Sequence, residues 1–309
     1  MQMNSQLYQI IPQQIKRYSF CQNVKYAIKL EDSSSRAYLK NEQQILKLLN
    51  ESQAQIGQKS FFPKFFESGF IKPFNYIVME YLDEQIKLDI RNSSEIKELT
   101  KQCFQAIRAF HSIGYIHRDV RLENFLQQNG QLYLIDFGSA SEYMIDNTLK
   151  PLVFNQQQEV NMITASFNSL AGFQSGRIDD YISIINSMLL ICQQDSPLRF
   201  NLPDLNDDVM RGLVYQQRLQ LREEDFDNDC GKRLFRIHKL LVETYFDQYN
   251  EIHLKDFEID QLIEKIDEPI DPSIRAICIP QIVRIKKPLK SSLSSNQIVQ
   301  TDIIYKQET

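Results

Sequence analysis

The sequence predicts an α+β fold in two lobes: a small, β-rich lobe with one helix over about 7–82, then a larger, mainly helical lobe over about 83–268. Two observations predict it. Short segments with alternating apolar residues dominate before residue 83, whereas apolar residues recur at helical spacing from Ser94 onward. The first part contains a single strong helical stripe, in "RAYLKNEQQILKLLN". With 309 residues, 42% of them hydrophobic, the chain is long enough to bury such a core.

In the first lobe, "LYQII" and "IKRYSF" read as short strands, and "VKYAIKLE" follows a turn at Gln22-Asn23 as a third. Leu39, Ile45, Leu46 and Leu49 form the apolar stripe of the helix. Two more strands fit "KFFESGF" and "NYIVMEYL", separated by a turn at Lys72-Pro73.

The second lobe opens with a helix. Ser94 suits its N-cap, Glu95 and Glu98 its first turn, and Leu99, Cys103, Ile107 and Phe110 its buried face. Gly114 is placed to end it. Asn129-Gly130, between "ENFLQ" and "QLYLI", signals a two-residue hairpin. Helices are then expected over 179–193, 207–222, 231–248 and 256–267. The first of these contains "YISIINSMLLIC", an apolar run too short to span a bilayer and suited to a buried core helix. Beyond Glu268 come four prolines and a Ser cluster, the texture of a mobile or docked tail over 269–309.

Charge and cysteine usage exclude several function classes. The formal net charge is −5; the tail holds six Lys or Arg against three Asp or Glu, so residues 1–268 carry −8. An acidic body argues against nucleic-acid binding, because a phosphate backbone requires a basic face. The tail's opposite sign suggests weak docking on the body. Five cysteines stand singly with no CxxC pair, which argues for a reduced compartment and against a zinc site. The start, "MQMNSQLYQI", lacks a basic stretch followed by an apolar run, so no signal peptide is expected, and the shortness of the most apolar run, 181–192, means that no membrane partner is expected. These features point to the cytoplasm, with the nucleus as the other compartment that fits.

The chemistry concentrates in "HRDVRLENF", residues 117–125, and "LIDFG", residues 134–138. A lone His-Arg-Asp would read as a solvated loop. Here the hairpin at Asn129-Gly130 folds the chain back and brings Asn124 close to Asp136, beside Asp119. Two oxygen-bearing side chains converging there are what a hard Mg²⁺ ion bridging phosphates needs. Gly138 is expected to supply the backbone freedom that aims Asp136 inward.

These residues resemble the protein kinase superfamily, "HRDVRLEN" its catalytic loop and "DFG" its metal-binding motif. The resemblance covers about 7–268 and implies the two-lobed protein kinase fold, with ATP and Mg²⁺ as cofactors and a protein Ser or Thr as substrate. Within the superfamily, "IKLE", "NEQQILKLL", "YIHRDVRLENFL", "IDFG" and "GFQSGRIDDYISI" are similar to casein kinase 1 segments, in order. The resemblance implies that Asp119 orients and accepts the proton of the substrate hydroxyl. Asn124 and Asp136 would hold the metal, and Lys29, steadied by Glu42, the phosphates. Met79 would be the gatekeeper before a hinge, Glu80 to Leu82, that faces adenine, with Ala27 and Leu126 above and below the base. Arg118 would anchor the activation segment, and Asp180 would brace the catalytic loop from the central helix. A monomer is the expected state.

Three departures matter. Residues 1–28 contain no glycine, the first being Gly57, and "IIPQQIKRY" with Pro12 stands where the family has its Gly-rich loop. That loop brings backbone N–H groups close to phosphates, so poor phosphate cover and reduced efficiency are expected. The family's Lys two positions after the catalytic Asp is Arg121, whose planar guanidinium predicts slower transfer rather than none. Ser166, in "TASF", replaces the Arg that receives a priming phosphate in casein kinase 1, so a primed-substrate preference is not expected. Two function classes follow: a slow Ser/Thr kinase, supported by Lys29, Glu42, Asp119, Arg121, Asn124 and Asp136, and a scaffold with a degenerate nucleotide site, supported by the missing glycines.

Overall fold

Alternation along "YAIKLED" splits strand β1 (Tyr26–Asp32) into two faces, and that split organises the smaller lobe. Ala27 turns to the main core, while Tyr26 and Ile28 pack on Tyr76 and Val78 on the opposite side of the sheet. The computed structural model describes residues 25–34, 37–56, 60–82, 84–86, 92–145, 148–149, 160–199, 207–247, 264 and 266. All of them belong to one compact unit, Met1–Pro269. The strands expected at 7–11 and 15–20 and the tail lie outside the described residues, as does the helix expected over 256–267, apart from Glu264 and Ile266.

Helix α1 (Tyr38–Ile56) follows β1, then β2 (Phe65–Ile71) and β3 (Phe74–Glu80) form a hairpin across Lys72-Pro73. The three strands make an antiparallel sheet in the order β1-β3-β2, with Lys29 opposite Ile77 and Ala27 opposite Met79. Leu39, Ile45, Leu46 and Leu49 are buried, so the stripe read from the sequence is the face α1 lays on the core.

Beyond a short strand β4 (Glu84–Gln85) the chain becomes helical. Helix α2 (Ser93–His111) buries Leu99, Cys103, Ile107 and Phe110 as its pattern requires. Its cap is Asn92 rather than Ser94: Asn92 Oδ1 accepts the N–H groups of Ser94 (3.1 Å) and Glu95 (3.3 Å). Both residue types cap well, and the extended backbone at Asn92 decides between them. The helix ends at His111, and Gly114, at φ +85°, closes the turn by donating its N–H to His111 O at 2.9 Å.

Strand β5 (Tyr115–Ile116) leads to the loop 117–121 and a 3₁₀ turn, Leu122–Asn124. The hairpin β6 (Phe125–Gln128) and β7 (Gln131–Leu134) then turns through Asn129 and Gly130 at φ +53° and +73°, the paired left-handed residues of a two-residue turn. Strand β8 (Ser141–Glu142) pairs with β5. Short helix α3 (Phe167–Leu170) precedes α4 (Arg177–Ile191), which is buried from Ile178 to Leu189. Helices α5 (Asp207–Leu219) and α6 (Asp229–Asp247) follow, and α4 packs between α2 and α6. Helix α5 stops three residues before the expected 222, because Gln220 and Leu221 bond back to Gln217 and Arg218 in a tightened last turn.

Candidate functional site

Asp180 shapes the loop 117–121 from beneath. It lies in the first turn of α4, 2% exposed, and its two oxygens accept the backbone N–H groups of His117 (2.8 Å) and Arg118 (2.9 Å). Its Oδ2 also meets His111 Nε2 at 2.8 Å. Burial holds the His111 pKa below the ordinary histidine value, so the neutral ring donates its proton to the carboxylate. Burial would raise Asp180, but the hydrogen bond from His111, with that from the His117 amide, outweighs it and keeps the carboxyl low. The two amide bonds support Arg118 at φ +70°, a left-handed backbone that costs a non-glycine residue about 1–2 kcal/mol.

Asp119 follows that turn. Asn124 Nδ2 donates to Asp119 O at 2.8 Å and to its Oδ2 at 3.2 Å, and Arg121 Nε lies 3.5 Å from the same Oδ2. Asn124 is buried, and using its amide nitrogen this way turns its oxygen to the other side of the carboxamide. Ile135 N donates to Asn124 O at 2.9 Å, so the hairpin returns Asp136 to within one residue of this contact.

Asp136 itself sits at φ +65°. The sequence reading assigned the needed backbone freedom to Gly138; the strained residue is Asp136. Gly138 instead permits close packing, since a Cβ there would lie 3.2 Å from Tyr38 Cβ. The intervening Phe137 is fully buried, stacked on Phe110 at 5.1 Å with Phe62 and His117 edge-on at 6.0 and 5.6 Å. His117 Nε2 donates to Ile135 O at 3.1 Å and ties the loop to the same segment.

Lys29 reaches this segment from β1. Its Nζ lies 2.6 Å from Glu42 on α1 and 2.7 Å from Asp136 Oδ1. Burial opposes its charge, but Glu42 and then Asp136 outweigh it and raise the lysine above its ordinary value. Glu42 is 2% exposed, and burial pushes its carboxyl up against the pull of Lys29. Burial works the same way on Asp136, yet the Lys29 hydrogen bond and charge prevail and lower it. The result is a cation shared by two carboxylates at the meeting of the lobes.

The donor set fits a hard cation. Among the described residues no three His, Cys, Asp or Glu side chains gather as a self-sufficient metal site. One carboxylate and one carboxamide are instead the sparse oxygen set Mg²⁺ uses when phosphates and water complete its shell.

Residues 14–161 match the family model of the protein kinase domain. That segment, which holds Lys29, Glu42, Asp119, Asn124 and Asp136, is similar to a protein kinase domain. Two relatives agree. A Dictyostelium discoideum protein named "Probable serine/threonine-protein kinase" is 28% identical over 173 residues, 47% of this chain and 35% of that protein. A Caenorhabditis elegans protein named for casein kinase I is 24% identical over 208 residues, 60% of this chain and 57% of that protein. The chain thus spans a third to just over half of the length of these relatives.

The other residues expected at the site lie as follows. Met79 is buried beside the core, and Ala27 opposite it packs against the same core. Glu80 spends its N–H on Lys64 O (2.8 Å) and its carboxylate on Lys64 N–H (3.1 Å), so that amide is not available to a base. Leu82 is buried, and Leu126 lies half-buried on β6, where Gln85 of β4 faces it. Ser166 is 1% exposed; its hydroxyl caps α3 through Ser169 N (3.1 Å) and also meets Asp179. A small polar recess beside Asp119 is walled by Asn161, Thr164 and Ala165. Arg218, buried on α5, fixes that wall by donating to the carbonyls of Met162 (2.9 Å), Ile163 and Ala165. Asn186 adds bonds to Thr164 O (2.9 Å) and Ala165 O (3.2 Å).

Sequence reasoning missed Asn41, Phe62, His111 and Arg218, and it placed Phe110 only in the buried face of α2, without its stacking on Phe137. Asn41 stands next to Glu42, and only that adjacency hinted at it.

Proposed function

We propose that this chain is an ATP-dependent protein Ser/Thr kinase of casein kinase 1 type, moving the γ-phosphate of Mg²⁺–ATP to a substrate hydroxyl with reduced efficiency. The observation that carries the reading is the position of Lys29, 2.6 Å from Glu42 and 2.7 Å from Asp136. A phosphate-binding cation, the acid that steadies it and a metal-binding carboxylate thereby meet at one point.

Phosphoryl transfer needs positioning and charge neutralisation more than covalent help. The adenine lies against Ala27, Met79 and Leu126 and meets the chain between Glu80 and Leu82. Lys29 holds phosphates, and Glu42 keeps it from collapsing onto Asp136 alone. Asn124 and Asp136 would hold Mg²⁺, which when bound would supply positive charge against the phosphates. The substrate hydroxyl enters the recess beside Thr164, where Asp119 orients it and accepts its proton. Arg121 adds positive charge next to Asp119. The buried Ser166 supports a substrate that needs no priming phosphate, and single, buried thiols such as Cys103 and Cys192 support a cytoplasmic or nuclear site of action.

One observation favours a second reading, a scaffold that binds nucleotide without turnover: no glycine precedes Gly57. The two are separated by incubating the protein with γ-labelled ATP, Mg²⁺ and a casein-type substrate at millimolar nucleotide. The kinase reading expects label on Ser or Thr, removed by chelating the metal. No label above the chelated control, with nucleotide still bound, leaves the scaffold.

A further inference from the structure

We infer that Asn41 is a positioning residue for the Asp136 carboxylate, tying helix α1 to the backbone that follows Asp136. Asn41 Nδ2 lies 2.8 Å from Ala140 O, 3.0 Å from Gly138 O and 3.3 Å from Phe137 O. One carboxamide nitrogen with two protons thus serves three carbonyls, and all three belong to the five residues that begin at Asp136. The next residue of the helix, Glu42, reaches Asp136 by the other route, through Lys29. One turn of α1 therefore restrains Asp136 twice, its side chain through an ion pair and the backbone that follows it through Asn41.

Asp136 needs such restraint. At φ +65° it occupies a region that non-glycine residues adopt only where their surroundings enforce it. Phe137, buried among aromatic rings, anchors the segment toward the larger lobe. Asn41 supplies the opposing anchor from the smaller lobe. Close approach of α1 is part of the device, because a Cβ on Gly138 would crowd Tyr38 Cβ at 3.2 Å. If α1 moves away, the three carbonyls lose their shared donor and Asp136 is free to relax from its left-handed backbone. The amide nitrogen is spent on these carbonyls, so Asn41 acts through Asp136 and not on the nucleotide.

The inference rests on the metal-binding role proposed for Asp136, and the test separates the two. ATP binding is measured by calorimetry across a series of Mg²⁺ concentrations for the wild type, Asn41→Ala and Asn41→Asp. Hydrogen exchange is followed at the 137–140 amides, and thermal melting confirms that each variant is folded. Asn41→Asp keeps the size of the side chain and replaces the donor with a carboxylate facing three carbonyls. The expected result is an apparent Mg²⁺ affinity roughly tenfold weaker in both variants, equivalent to about 1.4 kcal/mol. Metal-free nucleotide binding should be unchanged and exchange at 137–140 faster. A Mg²⁺ dependence identical to wild type in both folded variants overturns the role of Asn41. Wild-type ATP binding that ignores Mg²⁺ overturns the metal reading of Asp136, and the inference falls with it.

Discussion

Replacing Asp180 with Ala removes the group on which the catalytic loop is built. The carboxylate accepts three donors: His117 N–H (2.8 Å), Arg118 N–H (2.9 Å) and His111 Nε2 (2.8 Å). A hydrogen bond to a charged acceptor contributes about 1.5–3 kcal/mol, and each buried donor left without a partner adds a desolvation cost. Arg118 also loses the support for its left-handed backbone, a further 1–2 kcal/mol or so. Neighbouring groups relax, so the expected loss is about 3–5 kcal/mol, less than the sum of the three bonds. For a domain of this size that is a fall in Tm of roughly 6–20 °C. Circular dichroism melts measure it, and hydrogen exchange at the amides of residues 117 and 118 gives the local readout. Asp180→Asn, which keeps one acceptor oxygen, should fall between wild type and Asp180→Ala. A Tm within about 2 °C of wild type, with unchanged exchange at both amides, would refute the argument.

Asp119→Asn keeps the shape of the side chain and removes the proton acceptor; steady-state turnover should fall roughly 10²–10⁴-fold with little change in Tm. His238→Phe tests a buried titration: burial, then the charges of Arg218 and Lys239, hold the folded His238 at about 3, below the unfolded value near 6.5. The unfolded chain then takes up a proton that the folded one refuses, so wild-type stability falls as pH drops below about 6.5, by at most about 1.4 kcal/mol per pH unit. Urea titrations should show that wild type loses stability relative to His238→Phe across that window. Asp179, raised by burial to about 6, works in the opposite sense in both proteins and cancels in the comparison. Gly130→Ala meets no atom within 4 Å but forces a Cβ onto φ +73°, so thermal melts should show a loss of about 1–2 kcal/mol, with ATP affinity unchanged.

What the sequence disclosed depended on how local the signal was. The stripe Leu99, Cys103, Ile107 and Phe110 names the buried face of α2 because helical spacing is a property of consecutive residues. Asn129-Gly130 names its turn because few residue pairs accept two left-handed conformations in succession. The hairpin then sets Asn124 against the Asp136 segment through the bond from Ile135 N, so their proximity was legible as well. Features that depend on distant chain were not. Asn41 contacts carbonyls 96 to 99 residues away, and apart from its place beside Glu42 nothing in the sequence distinguishes it from a solvated helix residue. Arg218 looks like a surface cation, yet burial against the Met162–Ala165 carbonyls makes it an internal prop. The choice of Asp136 over Gly138 for the left-handed position was hidden because both residue types visit that region, and tertiary packing at Tyr38 uses the glycine for close approach instead.

The central claim is that Lys29, Glu42 and Asp136 mark the phosphate end of one nucleotide site. An ATP analogue carrying an acyl group on its terminal phosphate tests this most directly, because it acylates whichever lysine amine lies beside the bound phosphates. The account predicts that mass spectrometry finds the acyl group on Lys29, and that Mg²⁺–ATP in excess prevents the labelling. An unmodified Lys29, with label spread over other lysines and indifferent to Mg²⁺–ATP, would contradict it.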